Sequence, residues 1–101
     1  MITNKLSCNL TTPELQKRKE TIIAGLQQQI MDKKELKDGY AFQFPDGDAV
    51  LDTLTEFIKM ERACCSFFTF KLSVLGDKSG TWLELTGREG VKDFIRDELG
   101  F

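Results

Sequence analysis

The stretch Glu61-Arg62-Ala63-Cys64-Cys65-Ser66-Phe67-Phe68-Thr69-Phe70-Lys71-Leu72-Ser73-Val74 changes its hydrophobic period in the middle. Ahead of it, Val50, Leu51, Leu54, Phe57 and Ile58 recur at helical spacing. That stripe reaches Glu61, Cys64 and Cys65, because 57 to 64 and 58 to 65 are both steps of seven. Beyond the cysteines the period is two, with Phe68, Phe70, Leu72 and Val74 on one face and Phe67, Thr69, Lys71 and Ser73 on the other. The cysteine pair therefore sits where a helix gives way to a strand.

Toward the C-terminus, Leu75 to Gly80 reads as a hairpin loop and Thr81 to Thr86 as the returning strand, with Trp82 and Glu84 opposite Leu83 and Leu85. Thr86-Gly87-Arg88-Glu89 has the pattern of a capping box opening a short helix that buries Val91, Phe94 and Ile95. Toward the N-terminus, Pro45 ends a strand at about 40–44 in which Tyr40, Phe42 and Phe44 alternate, and Asp46 or Asp48 then caps the cysteine-bearing helix. Asp38-Gly39 signals a tight turn after a short strand or extended arm. Thr11-Thr12-Pro13-Glu14 offers a threonine cap, a first-turn proline and a carboxylate at the positive end of the dipole. A first helix is predicted over about 13–32, with Leu15, Ile22, Ile23, Leu26 and Ile30 inward and Lys17, Arg18, Lys19, Gln27 and Gln28 outward. Gly25 within it costs about 1 kcal/mol against alanine unless close packing requires it. The expected architecture is α+β: a small antiparallel sheet of two hairpins packed against two longer helices and one short C-terminal helix, in a single domain over 1–101.

Composition narrows the function classes. The chain has 101 residues, 14 basic and 16 acidic, a net charge of -2, and an apolar fraction of 41% that includes eight Phe, enough for one core. Its balanced charge argues against a basic nucleic-acid binder, and no apolar run is long enough to span a bilayer. Met1 to Cys8 lacks the apolar region of a signal peptide. Three cysteines, two of them adjacent, make a poor disulfide framework and fit a reducing cytosol. The absence of histidine removes Ser-His and Cys-His catalysis and mixed Cys/His zinc sites.

The cysteines carry the remaining chemistry. Neighbours on a helix point about 100° apart, so one thiol of the pair can face the core and the other a rim. Thiolates suit Zn(II), Cu(I) and similar soft cations, and an N-terminal arm folding back would add Cys8 to Cys64 and Cys65. Glu61 lies one turn before Cys65, placing its carboxylate as a fourth ligand or an outer partner, with Arg62 offsetting thiolate charge. The competing reading makes the cysteines core residues of a non-catalytic interaction module, held to a protein partner or a second copy through the first helix or an exposed sheet edge. A thiol-redox protein is third, since a helix C-terminus raises a thiol pKa and no histidine is present to act as base. Gly87 and Gly90, flanking a helix start, are a weak anion signal better explained by capping.

Glu61-Arg62-Ala63-Cys64-Cys65-Ser66-Phe67, then Phe70, then Trp82-Leu83-Glu84-Leu85-Thr86-Gly87-Arg88-Glu89-Gly90-Val91-Lys92-Asp93-Phe94 resembles a group of small bacterial proteins. Their pattern runs E-R-x-C-C-P-F-x-x-F, followed by W-L-x-L-T-G-x-E-G-x-K-x-F. Cys8-Asn9-Leu10-Thr11, Asp38 to Ala41 and Phe44-Pro45 also fit, so the likeness extends over nearly the whole chain. Members accompany heavy-metal and mercury-resistance genes in some genomes. The resemblance implies a three-thiol set of Cys8, Cys64 and Cys65 and a soft ion such as zinc or mercury. Ser66 stands where the group has proline, which loosens the turn after the cysteines.

Overall fold

In the computed structural model the described residues are 12–101, apart from the side chain of Cys64. The elements are helix α1 (Pro13–Gln27), strands β1 (Asp32–Leu36) and β2 (Gly39–Phe44), helix α2 (Asp48–Cys64), strands β3 (Phe68–Val74) and β4 (Thr81–Gly87), and helix α3 (Val91–Phe94), which runs into a π-helical turn at Ile95–Leu99. The α+β class expected from the sequence is what the chain forms.

Two antiparallel hairpins, β1–β2 and β3–β4, join through a β2–β4 pairing, so the sheet order is β1-β2-β4-β3. Phe42 lies opposite Leu83, and Phe44 opposite Thr81. Phe70 and Leu72 of β3 lie opposite Leu85 and Leu83. These residues share one face by the period-two rule, and the helices cover it. Val50, Leu54 and Phe57 of α2, Ile22, Ile23 and Leu26 of α1, and Val91, Phe94, Ile95 and Leu99 complete the core. Fully burying Phe42, Phe44 and Phe57 contributes roughly 1.5–3 kcal/mol each. Lys34, Ala41, Gln43, Trp82 and Glu84 occupy the opposite face, where the Lys34 ammonium sits 4.7 Å above the Trp82 ring.

Several local expectations are corrected. Helix α1 stops at Gln27 rather than near 32, because the chain beyond it is drawn into β1 by pairing with β2. Strand β1, with almost no buried side chains, is the short strand expected ahead of the turn, but it begins earlier, at Asp32. Thr12 is the α1 cap, its hydroxyl accepting from the Leu15 amide at 3.2 Å, yet Leu15 is 41% exposed and not part of the buried stripe. Neither Asp46 nor Asp48 caps α2; that position is Gly47, which makes no side-chain bond. The Thr86–Glu89 capping box does not form, since Thr86 and Gly87 belong to β4 and α3 starts after Gly90 in the left-handed region. The turn of the first hairpin is Lys37-Asp38, and Gly39 opens β2, where a Cβ would meet the Leu85 carbonyl oxygen at 1.8 Å.

The C-terminal segment closes the core. Gly100, left-handed at φ 69°, turns the chain so that the Phe101 amide donates to the Ile95 carbonyl at 3.3 Å. Phe101 then packs edge-on against Phe42, with ring centroids 5.3 Å apart, and lies 5.7 Å from Phe57.

Candidate functional site

Helix α2 carries its apolar stripe up to the last turn, and there the stripe ends in a carboxylate and a thiol. The Cys65 amide still donates to the Glu61 carbonyl at 2.6 Å, but its own backbone, at φ -126° and ψ 83°, has left the helix. That departure tucks the thiol inward. Glu61 is 0% exposed and Cys65 1%. The Cys65 Sγ lies 3.9 Å from Glu61 Oε1, the outer limit for a sulfur donor.

The other oxygen meets a cation from a different helix. Lys19 Nζ of α1 stands 3.2 Å from Glu61 Oε2, with the Lys19 side chain only 15% exposed. Oε2 is buried, and this ion pair is its partner among the described residues. Burial pushes the Glu61 carboxyl above its ordinary range, against the opposing pull of Lys19. Burial and the neighbouring Glu61 charge push the Cys65 thiol up to about 12. At neutral pH Cys65 is therefore a protonated thiol, a poor nucleophile by itself.

Of the four residues singled out by sequence as ligands, Glu61 and Cys65 are brought together. Cys64 occupies the last position of α2, its side chain lying outside the described residues, as does Cys8 altogether. Among the described residues no group of three or more histidine, cysteine or acidic side chains converges on one point. Arg62, expected to offset thiolate charge, is exposed, and Lys19, read from the sequence as outward-facing, is instead half-buried and paired with Glu61. A signal for this existed, because Lys19 falls three residues before Ile22 and four before Ile23, on their face of the helix. The reason it was missed is physical. Spacing can put Lys19 on the face of Ile22 and Ile23, but it cannot name Glu61 of another helix as the partner.

The aromatic run after the cysteines is core. Phe67, Phe68 and Phe94 form a triangle with centroid distances of 4.9, 5.1 and 5.5 Å. The loop between β4 and α3 borders a cleft of about 220 Å³ lined by Lys37, Asp38, Arg88, Glu89 and Lys92, whose mixed charge gives no selection for an anion. No helix among the described residues is long and apolar enough to cross a membrane. The chain matches no family model, no curated protein and no solved structure.

Proposed function

We propose that the chain is a small cytosolic, non-catalytic protein that binds a soft metal or metalloid ion such as zinc or mercury. Its ligands are the thiolates of Cys8, Cys64 and Cys65, with Glu61 as the oxygen ligand. The observation that carries this reading is the wholly buried Glu61 carboxylate beside the Cys65 thiol, Oε1 lying 3.9 Å from Sγ while Oε2 is ion-paired with Lys19 at 3.2 Å. A carboxylate held out of water is costly unless it is paired or coordinates a cation. Lys19 meets part of that cost, and burial still holds the carboxyl above its ordinary range.

The topology supports closure by Cys8. Four residues separate the end of helix α1 from the start of β1, at the end of the sheet where Asp32 faces Gln43. Helix α2 starts near that same end and finishes at the other, next to β3. The helices thus run in opposite directions, and Thr12 lies toward the end of α2 that carries the cysteines. Cys8 is four residues from Thr12, a reach of up to roughly 14 Å for extended chain. The likeness to proteins accompanying mercury-resistance genes points the same way. With Cys65 protonated before binding, uptake of an ion releases protons.

The test is native mass spectrometry of reduced protein with Zn(II), Hg(II) and arsenite, on the wild type, Cys8→Ser and Cys64→Ser/Cys65→Ser. One tightly held ion per chain, lost in both variants, is expected. Absence of tight binding by the wild type would overturn the reading, and mercury alone would not suffice because it binds most thiols.

A second reading as an interaction module has its own observation. Strand β3 is an edge strand with Phe70 and Leu72 half-buried, Val74 49% exposed and Leu75 39% exposed. An apolar edge that no strand among the described residues covers is a template for strand addition by a partner or a second copy. Concentration-dependent mass by light scattering, abolished by Val74→Lys, would favour it.

A further inference from the structure

We infer that β3 is the edge through which two copies of this chain join, paired antiparallel about a two-fold axis at Leu72. The inference rests on the interaction-module reading above and fixes both the partner and the register. The two outer strands of the sheet differ in kind. Strand β1 presents Asp32, Lys33, Lys34 and Glu35, all exposed, a run of charges that guards an edge against pairing. Strand β3 has Lys71 as its one charge, and Val74 and Leu75 at its end are 49% and 39% exposed.

Hydrogen-bond parity decides which backbone groups this edge offers. The Leu75 amide donates to the Gly80 carbonyl at 3.2 Å, closing the β3–β4 hairpin. Bonded pairs recur at every second residue of an antiparallel ladder, so Ser73, Lys71 and Thr69 direct their backbone groups to β4. The far side of β4 agrees: Gly87, opposite Phe68, donates its amide to the Asp38 carbonyl at 3.0 Å, toward β2. The N–H and C=O groups of Phe70, Leu72 and Val74 therefore point outward from the sheet. A two-fold axis at Leu72 brings these same groups face to face, Leu72 with its own copy and Phe70 with Val74 of the second copy. All three side chains lie on the helix-covered side, so the pairing extends the apolar row of the core and covers Val74. It also sets Lys71 opposite Ser73. An axis at Lys71 would put two lysines directly opposite each other, which is destabilising, and an axis at Phe70 would leave Val74 against Ser66.

The experiment follows the mass of the reduced full chain by light scattering across a concentration series, with Val74→Lys alongside. Leu72→Cys and Lys71→Cys are then mildly oxidised, each read against wild type for new disulfide-linked dimer. With the axis at Leu72, the two Leu72 Cα atoms form a bonded pair about 5.5 Å apart, within disulfide range. The two Lys71 residues are diagonal neighbours about 7–8 Å apart, beyond that range. The double variant Lys71→Cys/Ser73→Cys, whose partners face each other on the open side of the sheet, is a second probe should Leu72→Cys fold poorly. The mass is expected to rise from one chain to two and to stay at one in Val74→Lys. Leu72→Cys and the double variant should link, and Lys71→Cys alone should not. Linking through Lys71→Cys alone, in a dimer that Val74→Lys still breaks, would overturn this register and leave the edge reading standing. A mass unmoved by concentration, or a dimer that Val74→Lys leaves intact, would overturn both.

Discussion

Replacing Lys19 by methionine removes the cation opposite a fully buried carboxylate while keeping most of the aliphatic packing. At 3.2 Å and an effective dielectric constant of about 20, the attraction is worth about 5 kcal/mol. The full amount is not lost, because Glu61 can take up a proton. From an ordinary value of 4.5, holding it protonated at pH 7 costs about 3.4 kcal/mol, which caps the effect. The wild type already bears part of that cost, since burial outweighs Lys19 and the folded carboxyl titrates above its ordinary value. The expected loss at pH 7 is therefore about 1–3 kcal/mol. A group whose folded pKa is raised contributes stability that is complete below the unfolded pKa and is lost as pH rises through the folded one. The penalty of Lys19→Met must accordingly shrink as pH falls toward 4.5 and disappear below it. Urea unfolding followed by circular dichroism at pH 4 and pH 7 reads both quantities. A variant as stable as wild type at pH 7, or a loss of equal size at both pH values, would refute the reasoning.

Three further outcomes follow from single residues. Gly25 has no atom within 4 Å of where a Cβ would stand, so Gly25→Ala should stabilise the chain by about 0.5–1 kcal/mol in thermal unfolding, and a loss would mean that α1 needs the glycine. Thr81 is 0% exposed on the core face of β4 with an unbonded hydroxyl, so Thr81→Val, nearly isosteric, should raise stability by about 1 kcal/mol; destabilisation would mean that the hydroxyl has a partner. With its thiol pushed from 9.0 up to about 12, Cys65 contributes stability that is complete below pH 9 and lost as pH rises toward 12. Relative to Cys65→Ala, the wild type should lose about 1.4 kcal/mol between pH 8 and pH 10 in urea unfolding, and a pH-independent difference would show that the thiol ionises freely when folded.

What was legible in the sequence is what local periodicity encodes. The change from helical to alternating spacing at Cys64-Cys65 located the end of α2 and the start of β3, and the stripe from Val50 through Phe57 to Glu61 named the buried face. Strand β4 announced itself in Leu83 and Leu85 alternating with Trp82 and Glu84. Features that arise between elements were not legible. The bounds of β1 are set by the edge that β2 offers it, and the placing of β4 between β2 and β3 is a long-range choice that either hairpin could have made otherwise. Lys19 looks like a solvated lysine until α2 supplies Glu61. The core role of Phe101 had a readable sign in Leu99-Gly100-Phe101, a left-handed glycine followed by an apolar residue, which went unread. Of the site, the pairing of Glu61 with Cys65 could be foreseen from one helical turn; its cation could not.

The central claim concerns what fills the space beside Glu61 and Cys65. Cadmium-edge X-ray absorption of the reduced full chain loaded with one equivalent of Cd(II) tests it most directly, because the spectrum separates sulfur from oxygen ligands. The account expects sulfur from Cys8, Cys64 and Cys65 with one oxygen, and loss of the oxygen in Glu61→Gln. An ion ringed only by oxygen, or no stoichiometric complex, would contradict it.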